Sequence, residues 1–183
     1  MSQDQPATGY TVWFTGLSGA GKTTVSRLVG AELARHGAHV EVLDGDVVRT
    51  HLSKGLGFSK EDRDTNIERI GWVASRLARA GTAVVVAAIS PYEAARRRAR
   101  DMTEAFAPFL EVYVRASVDE CARRDPKGLY ARALAGELAD FTGVSAPYEE
   151  PVAPELVLDT ELDEPEVSAG RVVALLDARG LLR

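Results

Sequence analysis

The chain has a single cysteine, no excess of positive charge and no long apolar run. Cys121 cannot form an internal disulfide bond, so we expect a reduced, cytoplasmic setting. A formal net charge of −5 argues against a general role in binding nucleic acid or a membrane surface. No stretch is long and apolar enough to cross a bilayer, and the polar residues 1–9 lack the apolar core of a signal peptide.

The residues that are present suffice for one hydrophobic core. Hydrophobic residues make up 45% of the 183 residues, and both values are typical of one α/β domain. No internal repeat or low-complexity tract divides the chain. We therefore predict a single domain over residues 1–183.

The most specific signal is a glycine-rich loop at residues 16–23, with the sequence GLSGAGKT. It matches the phosphate-binding pattern G-x-x-x-x-G-K-T. The β-branched and aromatic residues 11–15 predict a buried strand before the loop, and residues 24–36 predict a helix after it, ended by Gly37. This context disfavours the alternative of a glycine-rich turn that binds nothing.

The chemistry of such a loop is the binding of a nucleoside triphosphate. Glycines let successive backbone amides face a phosphate, and the N-terminus of the following helix adds partial positive charge. Lys22 can follow the β- and γ-phosphates, and the Thr23 hydroxyl can ligate Mg²⁺. The loop therefore predicts an enzyme that uses a nucleoside triphosphate.

Two carboxylates, Asp44 and Asp46, follow the second predicted strand, residues 39–43. Open parallel sheets bind ligands beyond the carboxyl ends of their strands, so these acids are placed for Mg²⁺ and for an acceptor hydroxyl. Asp-Gly is also common in turns, and a turn with solvated acids is the alternative. The neighbouring phosphate loop favours the functional interpretation.

The rest of the chain alternates helices with strands. Residues 83–89 form an almost continuous Val and Ala run, which predicts a central strand without an acid at its end. An insert at about residues 125–150 is typical of a lid. We predict a three-layer α/β/α sandwich around five parallel strands. The other predicted strands are residues 110–114 and 156–158, and the other predicted helices are residues 47–52, 64–80, 92–105, 118–124 (with Ser117 as N-cap) and 166–179.

Several side chains have an ordinary structural interpretation. We interpret Phe58 as core rather than as a ring stacked on a base. One buried stripe is predicted on the helix 64–80, made of Ile67, Ile70, Ala74 and Leu77, with Arg63 off the stripe. A solvated helix face is predicted for Arg96, Arg97, Arg98 and Arg100.

The phosphate loop and several other stretches together form a more specific pattern than the loop alone. They are GLSGAGKTT at 16–24, LDGD at 43–46, VR at 48–49, LGFS at 56–59, DR at 62–63, NI at 66–67, ISPY at 89–92, RDPKGLY at 124–130, FTG at 141–143 and PYE at 147–149. Through them the chain resembles the adenylylsulfate kinase (APS kinase) family of P-loop kinases nearly end to end. That family transfers the γ-phosphate of ATP to the 3′-hydroxyl of adenosine 5′-phosphosulfate (APS). The resemblance implies Mg²⁺ as cofactor, ATP as co-substrate, the strand order 2-3-1-4-5, a homodimer and an association with ATP sulfurylase.

The resemblance also implies a role for individual residues. Asp46 would meet the 3′-hydroxyl, Phe58 would pack on the acceptor adenine, and Lys127 would enter with the lid. The implied catalytic residues are Lys22, Asp46 and Ser90, and the implied metal residues are Thr23 and, through water, Asp44. The implied ATP-binding residues are Gly16, Ser18, Gly19, Ala20, Gly21, Lys22, Thr23, Thr24 and Arg124. The implied APS-binding residues are Asp46, Arg49, Phe58, Arg63, Asn66, Ile89, Ser90 and Lys127.

Two charge reversals depart from the family pattern. Glu68 and Glu93 stand where the family often has arginine. We interpret both as parts of solvated helix faces, and an altered acceptor is the alternative. Two other functions stay open on the sequence: a related kinase for a different hydroxyl, and an ATP-binding partner module of ATP sulfurylase. Phe58, Arg63 and Asn66 suit a nucleotide acceptor and therefore disfavour the first function. The intact phosphate loop and the acids Asp44 and Asp46 disfavour the second.

Overall fold

Five parallel strands form the centre of the part of the chain that the computed structural model describes, residues 9–182. The strands are β1 Tyr10–Thr15, β2 Val40–Asp44, β3 Ala83–Ala87, β4 Phe109–Arg115 and β5 Leu156–Asp159. They are ordered β2-β3-β1-β4-β5, which confirms the predicted topology. Residues 1–8, where no signal peptide was predicted, lie outside the described residues, as does Arg183.

Helices cover both faces of the sheet. Within residues 9–182 they are α1 Lys22–Arg35, α2 Gly45–His51, α3 Lys60–Arg79, α4 Glu93–Glu104, α5 Val118–Arg124, α6 Leu129–Leu134 and α7 Pro165–Ala178. On one face α1 packs beside α7, and on the other α3 packs beside α4. This confirms the three-layer α/β/α fold. In the same range no helix is both long and apolar enough to span a membrane.

The most deeply buried strands are those with the most continuous apolar sequence. Every residue of β1 and of β3 is buried, as expected for central parallel strands covered on both faces. Trp13 of β1 stacks on Phe109 of β4, with their ring centroids 5.7 Å apart. The interior therefore has one apolar layer on each side of the sheet. A functional site can form at the polar ends of the strands.

Side-chain caps determine where some helices begin. The Ser59 hydroxyl accepts a hydrogen bond from the Asp62 amide at 3.1 Å, so α3 begins at Lys60 rather than at residue 64. The Ser117 hydroxyl accepts from the Glu120 amide at 3.2 Å, which confirms the predicted cap of α5. Gly37 follows α1 with a φ of 83°, as expected for a residue that ends a helix.

The insert packs onto the phosphate loop through Tyr130. The ring of Tyr130 is buried and lies edge-on against Phe141, with centroids 5.0 Å apart. Its hydroxyl donates to the Ser18 carbonyl at 2.9 Å. The insert is therefore joined to the loop that precedes α1.

The prediction that the arginine run on α4 is a solvated face was wrong for Arg96. The side chain of Arg97 is 70% exposed, whereas that of Arg96 is 2% exposed. Arg96 pairs with Glu93 on its own helix at 2.6 Å and with Glu111 on β4 at 2.8 Å. The helical spacing could not reveal this, because the Glu111 partner comes from another element.

Two further arginines are also engaged rather than free in solvent. Arg100 pairs with Glu155 at 2.8 Å. Arg63 is buried, although it was predicted to lie off the buried stripe of α3. The predicted stripe is confirmed for Ile67, Ile70 and Ala74, whereas Leu77 is only partly buried.

We predict opposite effects of alanine at two helical glycines. A Cβ at Gly71 would lie 2.9 Å from the Cα of Ala99, where α3 meets α4, so Gly71→Ala should lower the free energy of unfolding by about 1–3 kcal/mol. Gly170 on α7 has nothing within 4 Å of such a Cβ, so Gly170→Ala should raise it by about 0.5–1 kcal/mol. Urea denaturation measures both, and equal effects would contradict this account of helix packing.

Candidate active site

The phosphate loop needs glycine for two separate reasons. A Cβ at Gly16 would lie 2.3 Å from the Val114 carbonyl oxygen, so the loop could not approach β4 with any larger residue. Gly21 has a φ of 97° and caps the N-terminus of α1. The first amides of α1 have no acceptor within the helix, so they are available to a phosphate.

Lys22 is buried at the first position of α1. Its Nζ donates to the carbonyl oxygens of Gly16 at 2.9 Å and Leu17 at 2.6 Å. Burial lowers its pKa from 10.5 to about 8, and the nearby Asp46 carboxylate partly opposes this shift. The ammonium group is therefore held against the loop that would receive the phosphates.

Asp44 joins the end of β2 to both the phosphate loop and α2. Its Oδ2 accepts from the Thr23 hydroxyl at 2.9 Å, and its Oδ1 accepts from the Asp46 amide at 3.0 Å. The second contact caps α2, so the Asp-Gly-Asp segment is the start of a helix rather than an isolated turn. The hydroxyl oxygen of Thr23 and the Oδ2 of Asp44, which can both bind a metal, thus lie side by side.

These elements open into a cleft of about 890 Å³. Of the residues that the resemblance implied, it brings together Ser18, Gly19, Gly21, Lys22, Thr23, Thr24, Asp44, Asp46, Arg49, Phe58, Arg63, Asn66, Ile89, Ser90, Arg124 and Lys127. Gly16 and Ala20 do not line it. Instead, the Ala20 carbonyl accepts from the Thr160 hydroxyl at 2.9 Å.

Phe58 lines the cleft and is 61% exposed, so the prediction that it is a core residue was wrong. The guanidinium of Arg49 lies 4.4 Å from its ring centroid, and that of Arg63 lies 5.9 Å away. Arg49 lies over one face of the ring, and the exposure of Phe58 leaves ring surface available to stack on a flat, anionic ligand.

Arg63 connects the Phe58 loop to the insert. Its Nε donates to the Phe58 carbonyl at 2.7 Å. Its Nη1 donates to the Thr142 hydroxyl, and its Nη2 donates to the Asp140 carbonyl. Burial lowers its pKa. Much of its hydrogen-bonding capacity is thus directed to the protein itself.

Asn66 lies one turn further along α3 and presents an unused acceptor. It is 7% exposed, and among the described residues its Oδ1 has no hydrogen-bond partner. A buried carbonyl oxygen without a donor is unfavourable. A hydroxyl or amine group of a ligand in the cleft would supply the donor.

The hydroxyl of Ser90 is engaged within the protein. It accepts from the indole Nε1 of Trp13 at 3.0 Å and donates to the Ala88 carbonyl at 3.3 Å. Ser90 is 1% exposed and has a φ of 48°, an uncommon conformation for a residue with a side chain. It marks the turn after β3, which ends at Ala87 rather than at residue 89 as predicted.

Asp46 and Lys127 form an ion pair between α2 and the insert. Their side chains are 69% and 50% exposed, so both remain open to solvent and to a ligand. Arg124 lies in another part of the cleft, where it donates to the Thr160 carbonyl at 2.6 Å and pairs with Glu120 at 2.7 Å.

Sequence reasoning missed some residues that shape the site. Thr160 directly follows β5, so the rule that ligands bind beyond strand ends could have found it. Thr142 lies in the FTG stretch of the resemblance, but no role was predicted for it or for Trp13, because their contacts to Arg63 and Ser90 join distant parts of the chain.

The family model for adenylylsulphate kinase matches residues 8–159 of the chain. The chain belongs to the adenylylsulphate kinase family. The adenylyl-sulfate kinase of Myxococcus xanthus is 54% identical over 175 residues, which is 95% of this chain and 94% of that protein. A probable bifunctional SAT/APS kinase 2 of Sorangium cellulosum is 54% identical over 173 residues, but the chain matches only 29% of its length.

A solved adenylylsulphate kinase has the same fold. The Mycobacterium tuberculosis APS kinase CysC, in complex with AMPPNP and APS, superposes with a TM-score of 0.90 at 45% identity and covers 94% of this chain and 99% of its own. As an adenylylsulphate kinase, the chain transfers the γ-phosphate of ATP to the 3′-hydroxyl of APS. Glu68 and Glu93 do not line the cleft, although Glu93 is paired with Arg96 rather than free in solvent.

We predict that ATP binding is coupled to protonation of Lys22. Its pKa of about 8 means that part of the free enzyme carries a neutral amine above that pH. A bound triphosphate favours the ammonium form of Lys22. ATP binding at about pH 8.5 should therefore be accompanied by the uptake of between about half a proton and one proton. Calorimetric titration in buffers of different ionisation enthalpy measures the uptake, with Lys22→Met as control. Equal uptake by both proteins would contradict the assignment.

Proposed function

We propose that ATP and APS meet in this cleft, with Lys22 and Asp46 at the point of phosphoryl transfer. The supporting observation is that Lys22 begins the helix after the phosphate loop, Asp46 follows the end of β2, and both line one cleft. Phosphoryl transfer depends on in-line positioning and neutralisation of charge more than on covalent help. ATP extends toward Arg124, and APS extends toward Phe58.

Mg²⁺ fits the oxygen atoms beside the phosphate loop. The Thr23 hydroxyl and the Asp44 carboxylate, 2.9 Å apart, are the hard oxygen ligands that Mg²⁺ prefers. Thr23 would bind the ion directly, and Asp44 would hold it through water. When bound, the ion neutralises charge on the phosphates. Ala88 follows β3 where many phosphate-loop enzymes have an acid, so the metal site rests on these two residues.

Asp46 receives the proton of the acceptor hydroxyl. Its carboxylate is 69% exposed and lines the cleft, so an acceptor hydroxyl can reach it. Late in transfer the proton moves from the 3′-hydroxyl to this carboxylate. Lys127, now paired with Asp46, turns to the phosphates as the lid covers them. Ser90 takes no phosphoryl group in this scheme, because Trp13 and Ala88 engage its hydroxyl.

The acceptor end of the cleft suits a nucleotide that carries an anionic group. The Phe58 ring stacks on the adenine, and Arg49 beside it neutralises charge on the phosphosulfate. The unused Oδ1 of Asn66 accepts from the ribose or from the base. Arg63 contributes mainly by fixing Phe58 against the insert.

The direct test is Asp46→Asn, which keeps the shape of the side chain but removes its basicity. We expect kcat to fall by about 100-fold or more, while the ATP dissociation constant changes by less than about threefold. Asp101→Asn, an exposed acid on α4 outside the cleft, is the matched control. Near-normal turnover by Asp46→Asn would remove Asp46 from the chemistry.

A second test separates the two nucleotide sites. Phe58→Ala should raise the KM for APS by about tenfold, because one stacked ring is lost, and should leave the KM for ATP nearly unchanged. Phe106→Ala is the control, since Phe106 is 45% exposed but lies outside the cleft. A larger effect on ATP than on APS would reverse the assignment of the two ends.

Four further features remain predictions. They are the homodimer, an association with ATP sulfurylase, a cytoplasmic location and the organisation of residues 1–183 as one domain. The ion pair between Asp46 and Lys127 supports a lid role for the insert at about residues 125–150, because it connects the insert to the proposed catalytic acid.

A further inference from the structure

The segment that leaves β3 at the acceptor end of the cleft has an unfavourable backbone. We name residues 89–91 the Ser90 turn. All three line the cleft, and Ser90 at its centre has a φ of 48°. A residue with a Cβ adopts this conformation only when its surroundings hold it there. The contacts that hold the Ser90 turn therefore decide the shape of one wall of the active site.

Arg96 is the main contact from behind the turn. Its Nη1 donates to the Ser90 carbonyl at 2.7 Å. Its Nη2 pairs with Glu93 at 2.6 Å, and its Nε lies 2.8 Å from Glu111 Oε1. A guanidinium that is 98% buried needs such partners, because an unpaired buried charge is very unfavourable. The planar group is thereby fixed in three directions and cannot follow a displaced turn.

The end of the insert also supports this turn, through Tyr148 and Thr15. The Tyr148 ring centroid lies 5.8 Å from the Arg96 guanidinium, and the Tyr148 hydroxyl lies 2.8 Å from the Thr15 hydroxyl. Thr15 in turn donates to the Ile89 carbonyl at 2.7 Å. The Ser90 turn is therefore held by Arg96 and, through Thr15, by the insert.

Glu149 adds a second connection between the insert and the turn. Its amide donates to the Pro91 carbonyl at 2.8 Å, and its carboxylate accepts from the Glu93 amide at 2.7 Å. Residues on the insert, on α4 and on β4 thus converge on one short segment of the cleft wall.

We propose that Arg96 is a positioning residue for phosphoryl transfer: by fixing the Ser90 turn and the adjoining end of the insert, it sets the wall against which APS is held. The inference rests on the proposed function of the cleft. Arg96 does not line the cleft and acts only through the turn and the insert. Loss of Arg96 should therefore lower kcat/KM for APS more than it weakens the binding of ATP.

The experiment compares Arg96→Met with Arg97→Met. Arg97 is the next residue and is 70% exposed, so it is the matched control. For Arg96→Met we expect kcat/KM for APS to fall on the order of 10-fold to 100-fold, with the ATP dissociation constant within about threefold of the wild-type value. A loss that affects both substrates equally, or no loss, would overturn the proposal.

A second variant covers the case in which Arg96→Met does not fold. Glu93→Ala removes one partner of Arg96 at a site that is 31% exposed, so folding should survive. We expect the same selective effect on APS at a smaller size, about threefold to tenfold. Unchanged kcat/KM for APS in a folded Glu93→Ala protein would also overturn the proposal.

The fluorescence emission of Trp13 reports on the conformation of the Ser90 turn in the absence of substrate. Trp13 donates to Ser90, and the exposed Trp72 is the other tryptophan, so a Trp72→Phe background isolates Trp13. In that background Arg96→Met should shift the emission of Trp13 in the folded protein, whereas Arg97→Met should not. A lower melting temperature with unchanged emission and kinetics would mean that Arg96 only stabilises the fold.

Turnover by the wild-type enzyme distinguishes a failure of the proposed function from a failure of the positioning role of Arg96. If the wild-type protein did not phosphorylate APS, the proposed function would fail. The Trp13 emission would still decide whether Arg96 holds the Ser90 turn. If the wild-type protein were active and the Arg96→Met and Glu93→Ala variants matched it, only the positioning role would fail.

Discussion

The hydrogen bond from the Thr23 hydroxyl to the Asp44 carboxylate connects the start of α1, which follows β1, to the end of β2, a strand that is not a neighbour of β1 in the sheet. Because β3 lies between β1 and β2, the chain segments that leave β1 and β2 are separated by the width of a strand, and the cleft opens there. The same carboxylate caps α2 and so fixes Asp46 at the edge of the cleft. One pair of side chains thus aligns the phosphate loop, the expected metal ligands and the proposed catalytic acid.

Buried arginines perform a comparable task at the proposed acceptor end of the cleft. Arg63 joins the Phe58 loop to the insert, and Arg96 joins the Ser90 turn to α4 and β4. Each guanidinium lies among carbonyl, hydroxyl or carboxylate oxygens of other elements, and these contacts allow the charge to be buried. The insert is therefore anchored to the core at both places. Its connection to Asp46, in contrast, is an exposed ion pair through Lys127, a type of contact that stabilises little.

Local sequence was a good guide to the elements and a poor guide to side-chain surroundings. The Val and Ala run at residues 83–87 and the glycine-rich loop predicted a central strand and a phosphate site, because backbone geometry and burial leave direct marks in sequence. Phe58 was assigned to the core and Arg96 to solvent, and the structure reverses both assignments. Their partners lie in other elements, so no local pattern could reveal them.

By itself, therefore, the sequence determined the α/β class, the phosphate loop, the acids after β2 and, by resemblance, the family. These depend on short-range chemistry: glycines that permit a turn, strand and helix periods, and strand ends that meet at one edge of a parallel sheet. Only the tertiary structure decided that Ser90 directs its hydroxyl to Trp13 and that Arg96 supports the cleft wall. Such contacts join residues dozens of positions apart, and they form only when packing brings the elements together.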